Sequence, residues 1–224
     1  MGISERKLRE KESRKNNILD SAEKLFFSKG YRDTTMDDIA SSAELSKGTL
    51  YLYFKSKDEV YFGIALRAIV KLSSMFRVAF ISSNFGFIKL NEIGRAHYKF
   101  MMEYSDYHKV LSSLSSIDID LTIASDILMQ IGINNDLIAK TMTDSILIGM
   151  QDGSIRPDIN AEKLCYLLQA ESNGVFDMIQ QVKCLPKEYQ KFDPEELFTT
   201  FLESAFYYMK NPNFNYEEIG LKLN

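Results

Sequence analysis

The chain has 224 residues, of which 45% are apolar and 26% charged, and its net charge is −4. This composition is typical of a globular protein with a sizeable core and argues against long disordered regions. Neither a membrane span nor a secretory signal is expected, because the longest uncharged stretch, residues 78–88, is far shorter than the roughly 20 residues that cross a bilayer, and the first residues contain no apolar segment.

The N-terminal stretch is locally basic although the whole chain is acidic. Residues 1–15 contain six Lys and Arg against three Asp and Glu, whereas residues 61–224 contain 15 against 20. Local positive charge favours a polyanionic partner, because phosphate contacts are local and release counterions. A solvated N-terminal arm would give the same pattern, so this observation leaves both interpretations open.

The first two helices are predicted from apolar spacing and from capping residues. Apolar side chains at positions 18, 22, 25 and 26 form one stripe of a first helix, which Gly30 should end. Thr35 is the expected N-cap of a second helix, with Asp38 as its capping-box partner and an end near Ala43.

A third and a fourth helix follow closely. Ser46 is the N-cap candidate of a short helix that ends near Phe54, and Ser56 with Glu59 opens a longer helix over residues 57–80. The tight connection between the second and third helices is typical of a helix-turn-helix.

The rest of the chain keeps the helical period, and no strand-like alternation persists. Helices are predicted near residues 87–104, 106–114, 118–131, 134–151, 160–183 and 194–210, with a Gly/Pro-containing break at 152–158. The expected fold is therefore all-α, with about nine to ten helices. We expect an N-terminal arm and helix-turn-helix domain over residues 1–56 and a helical bundle over residues 57–224.

The third helix has an unusual outward face. On a helical wheel Leu50 and Phe54 point together toward the first two helices, and Gly48 and Leu52 point away. Thr49 and Tyr51 flank the outward pair, and Lys47 and Tyr53 lie at its edges. Glycine and leucine are poor choices for a solvated face, but they suit a helix in a DNA major groove, where Leu52 can meet thymine methyl groups. Packing of this face against the larger bundle is the alternative.

The stretch "GYRDTTMDDIASSAELSKGTLYLYFKSKDEV" closely resembles the N-terminal domain of the tetracycline-repressor (TetR) family of transcriptional regulators. The resemblance runs from about Lys15 to Val60 and includes Gly30-Tyr31, Thr34-Thr35 and the run from Ser46 to Tyr51. It departs from the family where the turn often holds glycine and this chain has Glu44, which would be strained in a left-handed conformation.

The resemblance implies a set of DNA-contacting residues. Thr35 is expected to contact phosphate from the start of the second helix, and Lys57 to grip the DNA backbone from the start of the fourth. Together with the outward-facing Leu52, the predicted DNA-binding residues are Thr35, Ser46, Lys47, Gly48, Thr49, Tyr51, Leu52, Tyr53 and Lys57.

The C-terminal part resembles the family in architecture and in one local stretch, "GSIRPDINAEKLCYLLQAESNGV". The resemblance implies that the last two long helices pair with those of a second subunit in a four-helix bundle. The residues expected near this dimer interface are Leu164, Leu167, Leu168, Val175, Ile179, Phe198, Phe201, Leu202, Ala205 and Tyr208. Each could instead fill the core of its own subunit.

A small-molecule site is also implied by the resemblance, since family members commonly bind an effector in this domain. The stretch "GRAHYKFMMEYSDYHKV" is rich in Tyr, Phe, Met and His, which line adaptable pockets. The ligand-binding candidates are His97, Phe100, Met101 and Tyr104, which could equally be core residues. A mostly apolar or aromatic effector is expected.

Enzymatic and metal-binding functions are not indicated. The chain has no Gly-x-Ser-x-Gly, no phosphate-binding glycine loop and no His-Glu-x-x-His, and neither Cys165 nor Cys184 lies in a Cys-x-x-Cys motif. We expect free thiols in a reducing, cytoplasmic compartment and no cofactor.

The function predicted is a homodimeric repressor that leaves a palindromic DNA operator when a small molecule binds. The alternative is a DNA-binding protein of the same fold that organises chromosomal DNA without an effector.

Overall fold

A computed structural model describes residues 3–114, 125–189 and 192–220, and over these ranges the chain is almost entirely helical. The predicted all-α class is confirmed. The α-helices in the described ranges are α1 (Ile3–Asp33), α2 (Met36–Ser42), α3 (Lys47–Tyr53), α4 (Lys57–Phe80), α5 (Gly86–Glu103), α6 (Ser105–Ser113), α7 (Ser125–Asp152), α8 (Ala161–Lys183) and α9 (Pro194–Met209). Two short 3₁₀ helices, Lys187–Tyr189 and Tyr216–Ile219, were not predicted. No helix in these ranges is both long and apolar enough to cross a membrane.

Two helices differ from the sequence-based expectation. The first begins at Ile3, so the basic N-terminal stretch is part of α1, and its helical geometry is interrupted at Gly30, where φ is 83°. The predicted break between residues 131 and 134 is wrong, because α7 continues through Gly132. A single glycine costs a helix only about 1 kcal/mol, which the packing of a long helix can offset. Residues 118–124 of the predicted helix lie outside the described ranges.

The chain divides into two compact units. The N-terminal unit comprises Met1–Val70 with Asp106–Asn134, and the C-terminal unit comprises Lys71–Ser105 with Asn135–Asn224. The divisions fall within α4 and α7 and next to α6, so the domain boundary expected after residue 56 stays a prediction.

In the N-terminal unit, the core joins α1 to the helix-turn-helix. Ile18, Ala22 and Phe26 are buried on one side of α1, and Leu50 and Phe54 are completely buried around α3. The apolar stripe predicted for the first helix is therefore an inward face that supports the two short helices. A helix of seven residues is marginal by itself, so α2 and α3 depend on this packing.

A polar network connects α6 to α1 and α4 in the same unit. The Tyr107 hydroxyl donates to Glu23 Oε1 at 2.9 Å, and the Arg67 guanidinium donates to both Glu23 and Asp20 at 2.9 and 2.7 Å. Burial and the neighbouring Glu23 carboxylate raise the pKa of Tyr107 to about 12. The phenol therefore remains a hydrogen-bond donor at physiological pH, and it links α6 to the helix that carries the core of this unit.

The core of the C-terminal unit lies between α5, α8 and α9. Met101, Phe176, Ile179 and Phe198 form one buried cluster that brings these three helices together. Burial of such large side chains contributes roughly 1.5–3 kcal/mol each relative to exposure, so this cluster is a main source of stability for the unit.

A second close contact in this unit requires glycine. A Cβ atom at Gly86 would lie 2.0 Å from the backbone nitrogen of Gly149, so α5 and α7 approach each other where neither has a side chain. The Gly86 amide also donates to the Asp152 carboxylate at 2.7 Å, which anchors the start of α5 to the end of α7.

Candidate nucleic-acid interface

The start of α2 is held by the predicted capping box. The Asp38 amide donates to Thr35 Oγ1 at 3.1 Å, and the Thr35 amide donates to the Asp38 carboxylate at 3.0 Å. The Thr35 hydroxyl also donates to that carboxylate at 2.9 Å, and the threonine hydrogen bonds lower the pKa of Asp38. The only proton of the Thr35 hydroxyl is thus engaged within α2, so a contact with phosphate would require this hydroxyl to donate to a different partner.

The start of α3 is capped in the same way by Ser46. The Thr49 amide donates to Ser46 Oγ at 3.1 Å, and the two hydroxyl oxygens lie 2.8 Å apart. The turn before this cap contains Glu44, which has a positive φ of 55°. The conformation anticipated from the family's glycine is therefore present at a residue that bears a side chain, which costs backbone strain.

The two faces of α3 separate as the helical wheel predicts. Leu50 is completely buried and is two residues from Leu52, of which 74% of the surface is exposed. Tyr51 is 37% exposed, and Gly48 lies on the exposed surface, where an added Cβ would meet only Ser46 Oγ at 4.0 Å. An exposed leucine beside glycine leaves an apolar, closely approachable surface that the N-terminal unit itself does not cover.

A groove of about 320 Å³ runs beside this surface. Its lining residues come from the end of α1 and from α2, α3 and the start of α4: Arg32, Thr34, Thr35, Met36, Asp37, Lys47, Tyr51 and Lys57. Four of them were predicted DNA-binding residues: Thr35, Lys47, Tyr51 and Lys57. The other four, Arg32, Thr34, Met36 and Asp37, were missed. For Arg32 the sequence offered one signal, a basic residue three positions before the Thr35 cap.

Asp37 is the acidic exception in the groove. Its carboxylate lies 2.7 Å from the Lys47 ammonium, and this hydrogen bond raises the pKa of Lys47. Both side chains are largely solvent-exposed, so the ion pair is weak and open to exchange with another anion. Asp37 lies in an acidic stretch, residues 33–38, ten residues before Lys47, so no local sequence signal links the two side chains.

Lys57 has a structural role that was not predicted. Its ammonium donates to the carbonyl oxygens of Tyr31 at 2.7 Å and Arg32 at 3.3 Å, and it lies 4.3 Å from the centre of the Tyr31 ring. The Tyr31 hydroxyl in turn donates to the Asp58 carboxylate. Lys57 thus joins the start of α4 to the end of α1, with one of its three N–H donors remaining for another partner. Its contact with DNA stays a prediction.

Lys55 also bonds to a backbone carbonyl group near a helix end, in this case the end of α3. Its ammonium donates to the Tyr51 carbonyl oxygen at 3.0 Å, near the end of α3. A cation near a helix C-terminus is favourable because of the exposed carbonyl groups there. Two of the three lysines around α3 therefore also stabilise helix ends.

The four ligand-binding candidates lie on α5 or at its end, within the C-terminal unit. Phe100 and Met101 are completely buried, and Met101 belongs to the core cluster. His97 Nδ1 lies 2.9 Å from Ser172 Oγ, and Tyr104 stacks on Phe100 with the ring centres 5.8 Å apart. A cavity of about 510 Å³ in this unit is lined by other residues of α4 and α5 and includes none of the four. Their role as a ligand site stays a prediction.

The ten predicted dimer residues divide by exposure. Five are buried within the single chain: Leu164, Leu168, Ile179, Phe198 and Ala205. Three are half-buried against the core cluster: Val175, Phe201 and Leu202. Two are exposed, Leu167 at 45% and Tyr208 at 53%. The first eight side chains therefore fill the core of their own chain, and the dimer interface itself stays a prediction.

The exposed side of α8 and α9 has a regular pattern of its own. On α8 the exposed positions Leu167, Ala170, Gly174 and Met178 recur at one helical face. On α9 the exposed positions are Thr200, Ser204, Tyr207 and Tyr208. We call these eight residues the outer α8–α9 face. The helical period alone does not distinguish this face from the buried one, because both sides of α8 carry apolar residues.

Metal-binding and disulfide sites are not found in the part of the chain that the structure describes. No group of three or more His, Cys, Asp or Glu side chains there could hold a metal ion. Cys165 is buried and Cys184 is exposed, and both are free thiols.

Comparison with known proteins agrees with the geometry of the N-terminal unit. Residues 18–64 match the family model described as bacterial regulatory proteins, tetR family. The biofilm operon icaADBC HTH-type negative transcriptional regulator IcaR of Staphylococcus aureus is 49% identical over 47 residues, which are 21% of this chain and 25% of IcaR. The chain thus spans about a quarter of the length of the curated relatives it matches.

Solved structures match over most of the chain. The TetR family transcriptional regulator PfmR from Thermus thermophilus aligns with a TM-score of 0.65 at 20% identity, covering 85% of this chain and 97% of PfmR. The ketosteroid transcriptional regulator KstR2 of Mycobacterium tuberculosis aligns with a TM-score of 0.64 at 18% identity, covering 88% and 95%. These likenesses concern the fold. The family match itself covers residues 18–64, which contain the helix-turn-helix and the start of α4.

Proposed function

We propose that the protein is a homodimeric repressor that binds a palindromic DNA operator through α3 and leaves it when a small, mostly apolar effector binds. The exposed surface of α3 is the observation that carries this proposal. Leu52 and Gly48 are exposed side by side, with Tyr51 and Lys47 at the edges of the same helix. An apolar surface surrounded by lysines fits a major groove, where thymine methyl groups lie between two rows of phosphates.

The contacts divide into two kinds. In this proposal Leu52 and Thr49 contact base edges, and Tyr51, Tyr53 and Lys47 contact phosphate oxygens. Ser46 and Thr35 act mainly as caps that keep α3 and α2 in position, since their hydroxyl groups bond within those helices. Gly48 allows the backbone of α3 to approach the groove closely.

Dimerisation would use the outer α8–α9 face. Small residues at Ala170 and Gly174 permit close helix approach, and Leu167 and Met178 supply exposed apolar area. A two-fold axis repeats the same surface on both subunits, so one helical stripe can serve both sides of the interface. Two α3 helices about 34–36 Å apart would then read two half-sites one turn apart.

The effector is the least constrained part of the proposal. His97, Phe100, Met101 and Tyr104 remain its candidate contacts, and their aromatic and sulfur-containing side chains favour an apolar or aromatic body. Helix α4 begins at Lys57, shortly after α3 ends, and extends to Phe80, so it contributes residues to both units. A movement of this one helix would therefore displace residues of both. Tight binding of a strongly charged effector with no apolar body would contradict this part.

The test is selection of bound duplexes from a random DNA pool by the purified protein at two salt concentrations. A recovered palindrome with half-sites about one helical turn apart is expected. Salt-sensitive binding with no motif, at many dispersed sites and without response to small molecules, would favour the alternative of a chromosome-organising protein. No binding at all would mean that the exposed face of α3 meets protein instead of DNA.

A matched pair of variants locates the binding surface. Lys47→Ala should weaken binding to all duplexes and reduce the slope of log affinity against log salt by about 0.9 for each phosphate that Lys47 contacts. Lys99→Ala removes an equally exposed lysine from α5 and should leave both quantities unchanged. Equal effects of the two changes would argue against a phosphate contact by Lys47.

A further inference from the structure

The first turns of α1 form a helix without a supporting core. Residues 5–14 are all exposed, whereas the same helix is buried at Ile18 and Leu19. At about 1.5 Å per residue, this exposed part extends roughly 15 Å beyond the core of the N-terminal unit. Core packing therefore does not explain the residue types at positions 5–14, and the arrangement of the charges on this part of α1 needs a different explanation.

Lysines recur along one side of this part of α1. Lys7, Lys11 and Lys15 are spaced by four residues, so they fall on one face of the helix. Arg14 lies at about 20° from Lys7 on the same wheel, Glu5 and Glu12 lie more than about 130° from Lys7, and Glu10 lies about 60° from Lys7, at the edge of this face. We call Lys7, Lys11, Arg14 and Lys15 the basic stripe.

The local ion pairs leave the outer part of the stripe unneutralised. The third acid, Glu10, contacts Arg6 at 2.8 Å, and Arg6 points away from the stripe. Lys7, Lys11 and Arg14 form no ion pair with any residue that the structure describes. In the described part of these turns of α1, the one ion pair, the i,i+4 pair of Arg6 with Glu10, therefore includes no residue of the stripe.

The stripe lies on the side of α1 that contacts α3. The Lys15 ammonium is 5.5 Å from the centre of the Phe54 ring, and Phe54 is the C-cap of α3. Lys11 and Lys7 follow on the same face, about 6 and 12 Å farther along α1. Near this end of α3 there is also the exposed Lys55. The positive charge around α3 thus continues along α1 through Lys15, Lys11 and Lys7, and the acid at the edge of this face, Glu10, is paired with Arg6.

We propose that the basic stripe of α1 binds the phosphate backbone of the DNA that flanks the segment read by α3. This inference rests on the proposed function, since it extends the same interface to a second contact with the same partner. Phosphates are the ligand that fits a row of exposed lysines without base-reading side chains, and such contacts fix register and add affinity but carry no sequence preference. The stripe would lengthen the DNA segment that each subunit covers.

The test compares two double variants of the full-length protein that remove the same charge. Lys7→Gln/Lys11→Gln neutralises the stripe, and Arg6→Gln/Arg9→Gln neutralises two arginines on other faces of the same exposed turns. Affinity is measured against salt on a long duplex that contains the selected operator and on a duplex trimmed to the operator. Circular dichroism confirms that both variants keep the helical content of the wild type.

On the long duplex, the stripe variant should lower the slope of log affinity against log salt by about 0.9 for each phosphate that the wild-type lysines contact. Two lysines in each of two subunits set an upper limit of about 3.6. The arginine control should retain nearly the wild-type slope. On the trimmed duplex all three proteins should bind alike, and footprinting should show a shorter protected segment for the stripe variant.

Two results would overturn the inference while the proposed function stands. Equal slopes for the wild type and the stripe variant would mean that the stripe is only a solvated surface. Equal reductions of affinity for both variants would mean that net charge, and not the position of the lysines, determines affinity. If the wild type itself binds no duplex, the proposed function fails and this inference fails with it.

Discussion

The helix α3 and the outer α8–α9 face both expose large apolar side chains, but they differ in the charges around them. On α3, Leu52 is exposed within a stretch that contains no acid between Leu45 and Lys57 and has three lysines. On α8, the segment from Leu167 to Met178 has no Lys or Arg and contains two acids. The proposed function assigns a partner to each surface, and the neighbouring charges differ as those two partners require.

Polyanionic DNA would be attracted to the first surface and repelled from the second. A second copy of the chain could pair with the second surface, because small residues there permit close approach. Only a few like charges would meet across such an interface. Changes that reverse these features one at a time should separate the two surfaces in experiment.

The largest effect is expected where α3 faces its own unit. Leu50→Ala removes a completely buried side chain and should lower the free energy of unfolding by about 2–5 kcal/mol. Denaturant titration followed by circular dichroism measures this decrease. Leu52→Ala, two residues away and exposed, should stay within about 0.5 kcal/mol of the wild type. Similar destabilisation by both changes would mean that the two faces of α3 are not distinct.

The next effect concerns the outer α8–α9 face. A side chain at Gly174 would meet no atom of its own chain within 4 Å, so Gly174→Arg should fold normally as a single chain. In a dimer it would bury an unpaired charge and should weaken association at least about thirtyfold, roughly 2 kcal/mol. Sedimentation equilibrium measures the dissociation constant. Asn173→Arg, on an adjacent exposed face, is the control and should dimerise like the wild type.

A smaller effect is expected at the exposed leucine of α3. Leu52→Ala should weaken operator binding about tenfold, roughly 1.4 kcal/mol, because the variant removes apolar surface from the major groove. Binding to unrelated DNA at the same salt should not change, since it depends on phosphate contacts. A fluorescence titration with both duplexes measures the ratio of the two affinities. An equal decrease on both duplexes would contradict a base-reading role.

Removal of the acid in the groove should act in the opposite direction. Asp37→Asn frees Lys47 from its ion pair and removes a charge that repels phosphate, so DNA affinity should rise about a few-fold. The same titration, repeated at two salt concentrations, should show a steeper salt dependence. Asp144→Asn breaks a comparable exposed pair with Lys140 on α7 and should leave DNA binding unchanged.

The smallest effect is expected at the turn before α3. Glu44→Gly relieves a left-handed backbone at φ 55° and should raise the free energy of unfolding by about 0.5 kcal/mol. Glu44→Ala keeps a Cβ atom in the same conformation and should give no such gain. Thermal unfolding of both variants, compared at the wild-type midpoint, distinguishes strain from the removal of a surface charge.

The sequence was most informative where short-range chemistry decides the structure. Thr35 with Asp38 and Ser46 with Thr49 are local caps, so the bounds of α2 and α3 could be predicted to within one or two residues. The start of α4 at Lys57 was also predicted from Ser56 and Glu59, and the Glu59 amide does donate to Ser56 Oγ at 3.1 Å. The strained turn at Glu44 was recognised from its departure from the family pattern.

Predictions were less successful where the decisive partner is distant in the chain. The ammonium of Lys57 bonds to carbonyl groups of Tyr31 and Arg32, more than twenty residues earlier, so its structural role could not be inferred from local spacing. The close approach of Gly86 and Gly149 has the same character. The expected dimer residues were the apolar residues of the two helices that the resemblance assigns to the interface, and apolarity does not reveal which side of a helix its own chain covers.

Periodicity and capping in this chain therefore established the all-α class, the helix-turn-helix and the exposed face of α3, because these depend on residues within one or two helical turns. The tertiary structure decided which apolar side chains of α8 and α9 remain exposed, how Asp37 pairs with Lys47, and on which side of α1 the lysines meet Phe54. Those outcomes depend on contacts between different helices, and only the packing of the helices brings the side chains together.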